Sequence, residues 1–174
     1  MTPTTSETWI AADGAVITIR PISAADLALE QDFVDGLSAS TGYQRLMSAR
    51  RPSVEEVKRF TDINPERELA LIATAQAQGR ERQIGVARCV KEPSSSGAAE
   101  FAIVLSDDWQ GRGLGTKLLG SLMVAAKQQG VRQLVGTTMS VNRPMLAVAR
   151  KLGFKLVADP GSAAITNLTL ELGA

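Results

Sequence analysis

The sequence of 174 residues contains no histidine and a single cysteine, and only 4% of its residues are aromatic. Without histidine, the chain has no Ser-His or Cys-His dyad and no Cys/His zinc cluster. Because Cys89 has no second thiol to pair with, no internal disulfide forms. These absences exclude much of hydrolase chemistry, and no metal site is expected.

Neither charge nor hydrophobicity is concentrated in one part of the sequence. The 19 Lys and Arg residues balance 18 Asp and Glu residues, so no nucleic-acid partner is expected. No apolar run approaches the length that spans a bilayer, and the N-terminal MTPTTSETW lacks the basic and apolar regions of a secretory signal. The chain is therefore expected to be cytoplasmic, without membrane partners. Its length fits one domain, predicted over residues 9–174 after a flexible tail at 1–8.

Hydrophobic periodicity and turn residues predict the order strand, two helices, three strands, helix, strand, helix and two strands. Capping-box patterns at Ser23 and Ser53 predict the first two helix starts, and the first helix is predicted to run through Leu37. Short connectors predict antiparallel neighbours, whereas the helix between strands 99–105 and 133–140 predicts a parallel crossover. The fold class is therefore mixed α/β (α+β), with about seven strands and about four helices. The predicted strands are residues 15–20, 68–75, 82–90, 99–105, 133–140, 154–158 and 164–172, and the last two helices begin near Arg112 and at Asn142.

The segment DDWQGRGLGTKLL, residues 107–119, carries three glycines at alternate positions directly before an apolar helical pattern. A turn of this kind leaves main-chain N–H groups unpaired at the helix start, and glycine lets an anion approach them. The pattern favours a phosphate-bearing ligand, with Arg112 and Lys117 adding positive charge. The spacing fits neither the P-loop nor the dinucleotide fingerprint. From spacing alone, a tight turn with close helix packing explains the glycines equally well.

Several stretches of the sequence resemble the GNAT family of N-acetyltransferases. The family's acyl-CoA pyrophosphate motif is matched by QGRGLG (110–115), and its later segment, in which an Asn opens a helix ending in Leu-Gly-Phe, by VNRPMLAVARKLGF (141–154). Three further segments, ERELALIA, IGVAR and AEFAIVLSDDWQGRGLG (99–115), resemble the acetyltransferase domain of Pat-type protein lysine acetyltransferases. The likeness covers about residues 19–157.

The resemblance implies the GNAT fold, which has a splayed pair of parallel strands, and acetyl-CoA as cosubstrate. It implies that the diphosphate lies on the main-chain amides of residues 110–116 and that the pantetheine arm pairs with the strand AIVL. Asn142 would contact the same arm, although a plain N-cap role explains this residue at least as well. The implied cofactor-binding residues are Ile103, Val104, Leu105, Gln110, Gly111, Arg112, Gly113, Leu114, Gly115, Thr116 and Asn142.

The implied chemistry requires a general base, because an amine such as lysine is protonated at neutral pH, with a pKa of about 10.4. Without histidine, the candidates are carboxylates. Glu100 is preferred, since the resemblance matches it to the catalytic Glu of Ala-Glu-Phe-Ala in Pat-like proteins. From spacing alone, a solvated strand end is the better explanation of Glu100. The alternative base is Glu68, which an ion pair with Arg67 or Arg88 explains equally well.

Many GNAT enzymes use a Tyr in the last helix as general acid, and the matching position here is Ala149. The only tyrosine, Tyr43, is expected to pack rather than react, and Cys89 is expected to be buried, so direct transfer is predicted. The amine acceptor is expected to be a protein lysine, for example on an acyl-CoA synthetase. A small-molecule amine, a non-catalytic acyl-CoA-binding module and a nucleotide-binding α/β domain are the alternatives, and both a monomer and a homodimer are open.

Overall fold

The computed structural model describes residues 6–39, 41, 52–94 and 96–173, and these ranges form eight strands and four α-helices. Two short 3-10 turns, Ala24–Asp26 and Asp107–Trp109, precede the first and third helices. The strands are Glu7–Ile10 (β1), Val16–Pro21 (β2), Glu68–Ala77 (β3), Arg80–Lys91 (β4), Ala98–Leu105 (β5), Gln133–Met139 (β6), Lys155–Asp159 (β7) and Ser162–Glu171 (β8). The helices are Leu27–Asp35 (α1), Val54–Thr61 (α2), Leu114–Gln128 (α3) and Arg143–Lys151 (α4).

The eight strands form one sheet in the order β1-β2-β3-β4-β5-β6-β8-β7. Every neighbouring pair is antiparallel except β5 and β6, which are parallel. The predicted mixed α/β class and the parallel crossover are therefore confirmed. The crossover arises because α3 carries the chain back along the sheet before β6 begins, as parallel neighbours require.

The first strand was absent from the sequence prediction, which began the ordered chain at Trp9. In the structure β1 begins at Glu7 and pairs with β2 from Glu7 opposite Ile19 to Ile10 opposite Val16. The predicted tail of residues 1–8 is thus too long by two residues. A four-residue strand beside a Ser/Thr-rich stretch gives little periodicity, and its pairing with β2 decides its conformation.

The first helix also differs from its prediction. The segment after Ser23 forms a 3-10 turn, α1 begins only at Leu27, and it ends at Asp35, so Leu37 lies beyond it. The reason is that the carboxylate of Asp26 accepts hydrogen bonds from the Ser23 N–H, at 2.8 Å, and from the Arg20 guanidinium, at 2.8 and 2.9 Å. These bonds hold the first turn tight and tie it to β2.

The helices cover the two faces of the sheet, with one apolar core on each face. Helices α3 and α4 share the larger core, to which β5 contributes Ala99 and Phe101. The other core lies under α1 and includes Val57 of α2 and Val104 of β5. Consecutive β5 residues thus point to opposite faces, as the strand pleat requires. The fully buried leucines of α3 are Leu114, Leu118, Leu119 and Leu122, and each contributes about 1.5–3 kcal/mol.

Of the helices in the described ranges, none is both long and apolar enough to cross a membrane.

Candidate active site

Strands β5 and β6 separate soon after they begin to pair. Their parallel register holds three residue pairs, from Ala98 opposite Gln133 to Glu100 opposite Val135. Beyond this vertex β5 continues to Leu105 and β6 to Met139 without pairing each other. The edge of β5 that faces β6 therefore borders an open cleft, where main-chain groups can pair with an extended ligand.

An aromatic ring occupies the point at which the two strands part. The next pair in the ladder would be Phe101 and Gly136, and the Phe101 ring lies over Gly136. A Cβ added to Gly136 would meet the ring's Cε1 at 2.7 Å. The ring also packs against Phe154, with 5.1 Å between the ring centroids. A glycine inside a strand often marks such a close approach.

At the open end of the cleft, the chain leaves β5 through the glycine turn and enters α3. Gly111 and Gly113 have φ values of 74° and 86°, a left-handed conformation that favours glycine. The main-chain N–H groups from Gly111 to Thr116 have no acceptor in the part of the chain that the structure describes. Because they lie at a helix N-terminus, these N–H groups form a site suited to an anion.

Gln110 differs from the rest of the turn. Its main-chain N–H donates to the carbonyl of Asp107 at 3.3 Å, so this amide is not available to a ligand. Its side-chain amide donates to Thr41 Oγ1 at 3.3 Å and to the Leu105 carbonyl at 3.4 Å. The Gln110 amide thus differs from the unpaired amides that follow it, while the residue itself lines the cavity.

A cavity of about 400 Å³ fills the cleft between β5, β6, the glycine turn and α4. It brings together most of the implied cofactor residues; Arg112 and Leu114 do not line it. Leu114 is fully buried in the core, so only its main chain belongs to the turn. The residues lining the cavity are Thr41, Phe101, Ala102, Ile103, Val104, Leu105, Gln110, Gly111, Gly113, Gly115, Thr116, Thr137, Thr138, Asn142, Pro144, Met145, Ala147, Val148 and Leu168.

The two cations expected beside the phosphate are paired with the N-terminal hairpin. Arg112 forms an ion pair with Asp13, and its guanidinium lies 3.6 Å from the centroid of the Trp109 ring. Lys117 pairs with Glu7 of β1, and this pairing is the main reason that the pKa of Glu7 lies below its usual value. The sequence predicts that both charges lie where a polyphosphate on the turn could reach them, and in this structure each is paired with a carboxylate of the hairpin.

Asn142 has the N-cap role that its position predicts and also borders the cavity. Its Oδ1 accepts from the main-chain N–H of Met145 at 3.3 Å, and its Nδ2 donates to Thr138 Oγ1 at 3.3 Å. Both ends of the amide are therefore engaged, which holds the start of α4 against β6.

The two candidate carboxylates lie in one row across the sheet. Val90 of β4 is opposite Glu68 on one side and opposite Glu100 on the other. Glu100 is exposed, and within the described ranges no hydrogen bond or ion pair reaches its carboxylate. It lies at the vertex of the splayed strands, on the face that carries Ala102 and Val104.

Glu68 has a different environment. Burial favours a higher pKa for this carboxyl, but hydrogen bonds from Arg59 and from the Asn64 N–H outweigh burial and hold the pKa below its usual value. The ion-pair partner is Arg59 rather than Arg67 or Arg88, and the charge of Arg88 adds a smaller effect that also lowers the pKa of Glu68. A carboxylate fixed in its ionised form by an arginine is a poor proton acceptor.

Two further positions bear on the chemistry. Ala149, which matches the usual tyrosine, is fully buried in the core between α4 and the sheet, and it does not line the cavity. Cys89 is buried, and its loss of solvation raises the pKa of the thiol to about 11. A buried, protonated thiol is a poor nucleophile. Tyr43 lies outside the described residues.

Sequence reasoning missed several residues of the cleft. Thr41 lines it and donates to Asp107 Oδ1 at 2.7 Å, a contact between positions 66 residues apart that no local pattern could predict. Phe101 and Leu168 were interpreted only as strand residues. A signal for the vertex was nevertheless present, because Gly136 interrupts an otherwise regular strand.

A splayed parallel pair beside a glycine turn that begins a helix is the arrangement of the GNAT acyltransferases. Residues 17–155 match the Acetyltransferase (GNAT) domain. The chain therefore belongs to the GNAT acetyltransferase family.

Relatives of this chain are also named acetyltransferases. Acetyltransferase PA5475 of Pseudomonas aeruginosa is 30% identical over 152 residues, which cover 85% of this chain and 80% of that protein. Acetyltransferase Pat of Mycolicibacterium smegmatis is 27% identical over 150 residues, which cover 86% of this chain but 44% of Pat. This chain thus spans less than half the length of Pat.

Solved structures share the fold at lower sequence identity. The GNAT domain of S. lividans PAT superposes with a TM-score of 0.85 at 22% identity, and the match covers 95% of this chain and 96% of that one. The structure of yncA from Salmonella typhimurium, solved with its cofactor acetyl-CoA, has a TM-score of 0.72 at 21% identity, covering 90% and 94% of the two chains.

Proposed function

We propose that this acetyltransferase transfers the acetyl group of acetyl-CoA directly to a lysine side chain of a protein. The observation that carries the proposal is a run of main-chain N–H groups, from Gly111 to Thr116, that are unpaired within the described part of the chain. They lie at the mouth of a cleft whose closed end lies beside Glu100. A diphosphate accepts hydrogen bonds from such a run, and the dipole of α3 adds to the attraction.

The cleft also suits the arm that links the diphosphate to the thioester. From Leu105, beside the turn, to Glu100, at the vertex, β5 spans about 17 Å at about 3.4 Å per residue. An extended pantetheine arm is of comparable length, and its amides can pair with main-chain groups of Ile103, Val104 and Leu105 as an added strand does. The thioester of a donor bound in this way lies at the vertex.

At the vertex, Glu100 is the proposed general base. The acceptor ammonium has a pKa of about 10.4 and must lose a proton before its nitrogen can attack the thioester carbonyl. The exposed carboxylate of Glu100 accepts this proton directly or through one water. The C–N bond then forms, the positively charged nitrogen of the tetrahedral intermediate loses its surplus proton to solvent, and the C–S bond breaks to release the thiolate of CoA.

No side chain of α4 that lines the cavity carries an acidic proton for the leaving thiolate. A thiol of this kind has a pKa of about 8.5, so the thiolate is a good leaving group and takes a proton from solvent. Cys89 is buried and protonated, which supports direct transfer rather than an acetyl-cysteine intermediate.

A protein acceptor is supported by the likeness to Pat and by the open side of the vertex. Glu100 and Ala102 are both exposed, so a lysine on the surface of a large molecule has access to the carboxylate. An acyl-CoA synthetase is the first protein acceptor to test, and we place the reaction in the cytoplasm.

The test is a screen of acceptors with acetyl-labelled acetyl-CoA. An acyl-CoA synthetase, lysine-containing peptides and small amines, including polyamines and amino acids, are each incubated with the protein, and both label transfer and CoA thiol release are measured. Label on protein lysine supports the proposal. Label found only on a small amine would contradict the protein acceptor and identify a small-molecule amine as the substrate instead. If CoA raises the melting temperature but no acceptor causes thiol release, the chain is a binding module instead.

A further inference from the structure

We propose that Phe101 limits the length of the acyl group that the enzyme accepts. This inference rests on the proposed binding of acetyl-CoA in the cleft. It concerns the side of the vertex that faces α3 and α4, opposite the side on which Glu100 is exposed.

The Phe101 ring is held on both of its sides. Gly136 lies directly beneath it, with so little space that an added Cβ would meet the ring at 2.7, 3.0 and 3.1 Å. Phe154 packs against it at 5.1 Å between centroids, with an angle of 46° between the ring planes. Phe101 is only 6% exposed, and it is one of the residues that line the cavity. A ring packed this closely cannot turn aside without disturbing its neighbours.

Leu168 completes the wall on the same side. It is paired with Gly136 across β6 and β8, is 1% exposed, and also lines the cavity. Phe101 and Leu168 therefore lie on either side of Gly136 in one row of the sheet. Together they close the end of the cleft that lies away from the glycine turn.

The distance along β5 places the acyl group against this wall. Phe101 precedes Leu105 by four residues, or about 14 Å of strand, and the glycine turn follows Leu105. A donor whose diphosphate lies on the turn therefore brings its acyl carbon to Phe101. An acetyl methyl fits at the ring, whereas each further methylene must displace the ring from its packed position.

We expect the enzyme to discriminate between acyl-CoA donors of different chain length as a closed apolar pocket does. One methylene too many in such a site lowers kcat/KM by about 10–200-fold. We expect the wild-type enzyme to use acetyl-CoA at least about tenfold better than propionyl-CoA, and to use butyryl-CoA less still. The variants Phe101→Leu and Phe101→Ala are expected to raise the butyryl-to-acetyl ratio of kcat/KM by about tenfold or more, Phe101→Ala the most.

The matched control is Phe33→Leu in α1. Phe33 is 4% exposed, like Phe101, but it belongs to the core on the opposite face of the sheet. The same substitution there is expected to lower the melting temperature and to leave the acyl-chain ratio within about twofold of the wild type. Circular dichroism and the melting temperature report whether each variant is folded, and Phe101→Leu decides the result if Phe101→Ala does not fold.

Two results would overturn the inference while the proposed function stands. In the first, folded Phe101 variants keep the wild-type ratio, which means that the acyl chain points towards the open face beside Glu100. In the second, the wild-type enzyme uses butyryl-CoA as well as acetyl-CoA, whatever the variants do. Failure of the proposed function looks different, because the wild-type enzyme then releases CoA from no donor with any acceptor.

Discussion

The Arg59 guanidinium donates two hydrogen bonds to the carboxylate of Glu68, the longer of them at 3.1 Å. Two strands away in the same row of the sheet, Glu100 has no such partner within the described ranges. The two carboxylates that sequence reasoning ranked as first and second candidates therefore have different environments. One is fixed by an ion pair, and the other is exposed at the vertex of the splayed strands.

Replacing Glu100 with Gln is expected to lower kcat by about 10²–10⁴-fold while the KM for acetyl-CoA changes little, because the amide keeps the shape of the side chain but accepts no proton. Steady-state kinetics with saturating acceptor measure the effect. The matched control is Glu68→Gln, which removes a carboxylate from the same row and is expected to keep kcat within about threefold of the wild type. A greater loss of kcat in Glu68→Gln than in Glu100→Gln would reverse the assignment.

Alanine at Gly111 or Gly113 is expected to raise the dissociation constant for CoA. Both glycines have left-handed φ values, at which a side chain costs about 1–2 kcal/mol, or about 5–30-fold in an equilibrium. The turn relieves this strain by changing its backbone conformation, which moves its N–H groups away from the proposed diphosphate site. Binding of CoA by isothermal titration calorimetry measures the change.

Gly120→Ala is the control for these two variants. Gly120 lies inside α3, and an added Cβ there meets no other atom within 4 Å. Alanine at this position is expected to stabilise the fold by about 0.5–1 kcal/mol and to leave CoA binding unchanged. Equal losses of CoA binding in all three variants would mean that the turn has no special role.

Acid is expected to destabilise the fold through Asp26. Although burial alone would raise the pKa of this carboxyl, hydrogen bonds from Arg20 and from the Ser23 N–H hold it below its usual value of 3.8. Since the folded-state pKa is the lower one, the contribution to stability is present above the unfolded-state pKa and is lost as the pH falls through the folded-state pKa.

The variant that tests this is Asp26→Asn. Its free energy of unfolding is expected to be lower than that of the wild type by about 1.5–3 kcal/mol at pH 7 and by much less near pH 2. Urea denaturation at a series of pH values measures this difference. The exposed Asp32 of α1 provides the control, because Asp32→Asn is expected to change the stability by less than about 0.5 kcal/mol. A loss in Asp26→Asn that is independent of pH would show that charge is not its cause.

Cys89 is expected to be dispensable for catalysis. Burial raises the pKa of its thiol to about 11, so very little thiolate is present at neutral pH. Cys89→Ala is expected to keep kcat within about threefold of the wild type, and iodoacetamide at pH 7.5 is expected not to inactivate the folded enzyme. A trapped acetyl-cysteine, detected by mass spectrometry after mixing with acetyl-CoA alone, would contradict direct transfer.

Much of the fold could be predicted because its signals are local. The Ser53 capping box and the N-cap at Asn142 lie where the helices α2 and α4 begin, since each cap needs only residues within one turn of itself. The positions of strands β2 to β8 along the chain follow from apolar patterns and short connectors. The strand β1 could not be predicted in this way, because its conformation depends on its partner β2.

The parts of the candidate site that could be predicted are those formed by residues adjacent in the sequence. The glycine turn and the strand AIVL are adjacent in sequence, and residues of both line the cavity. The ion pair of Arg112 joins residues 99 positions apart, and that of Arg59 with Glu68 joins a helix to a strand. No pattern within a window of a few residues contains such contacts.

The sequence by itself determined the order of the elements, the starts of α2 and α4, the glycine turn and the family, because these depend on neighbours along the chain and on short motifs. The tertiary structure alone decided that Glu68 is paired and Glu100 exposed, that the charges of Arg112 and Lys117 are balanced by the N-terminal hairpin, and that Phe101 occupies the vertex of the splayed strands. The physical reason is that burial, ion pairing and cavity shape are properties of segments that meet only after the chain has packed.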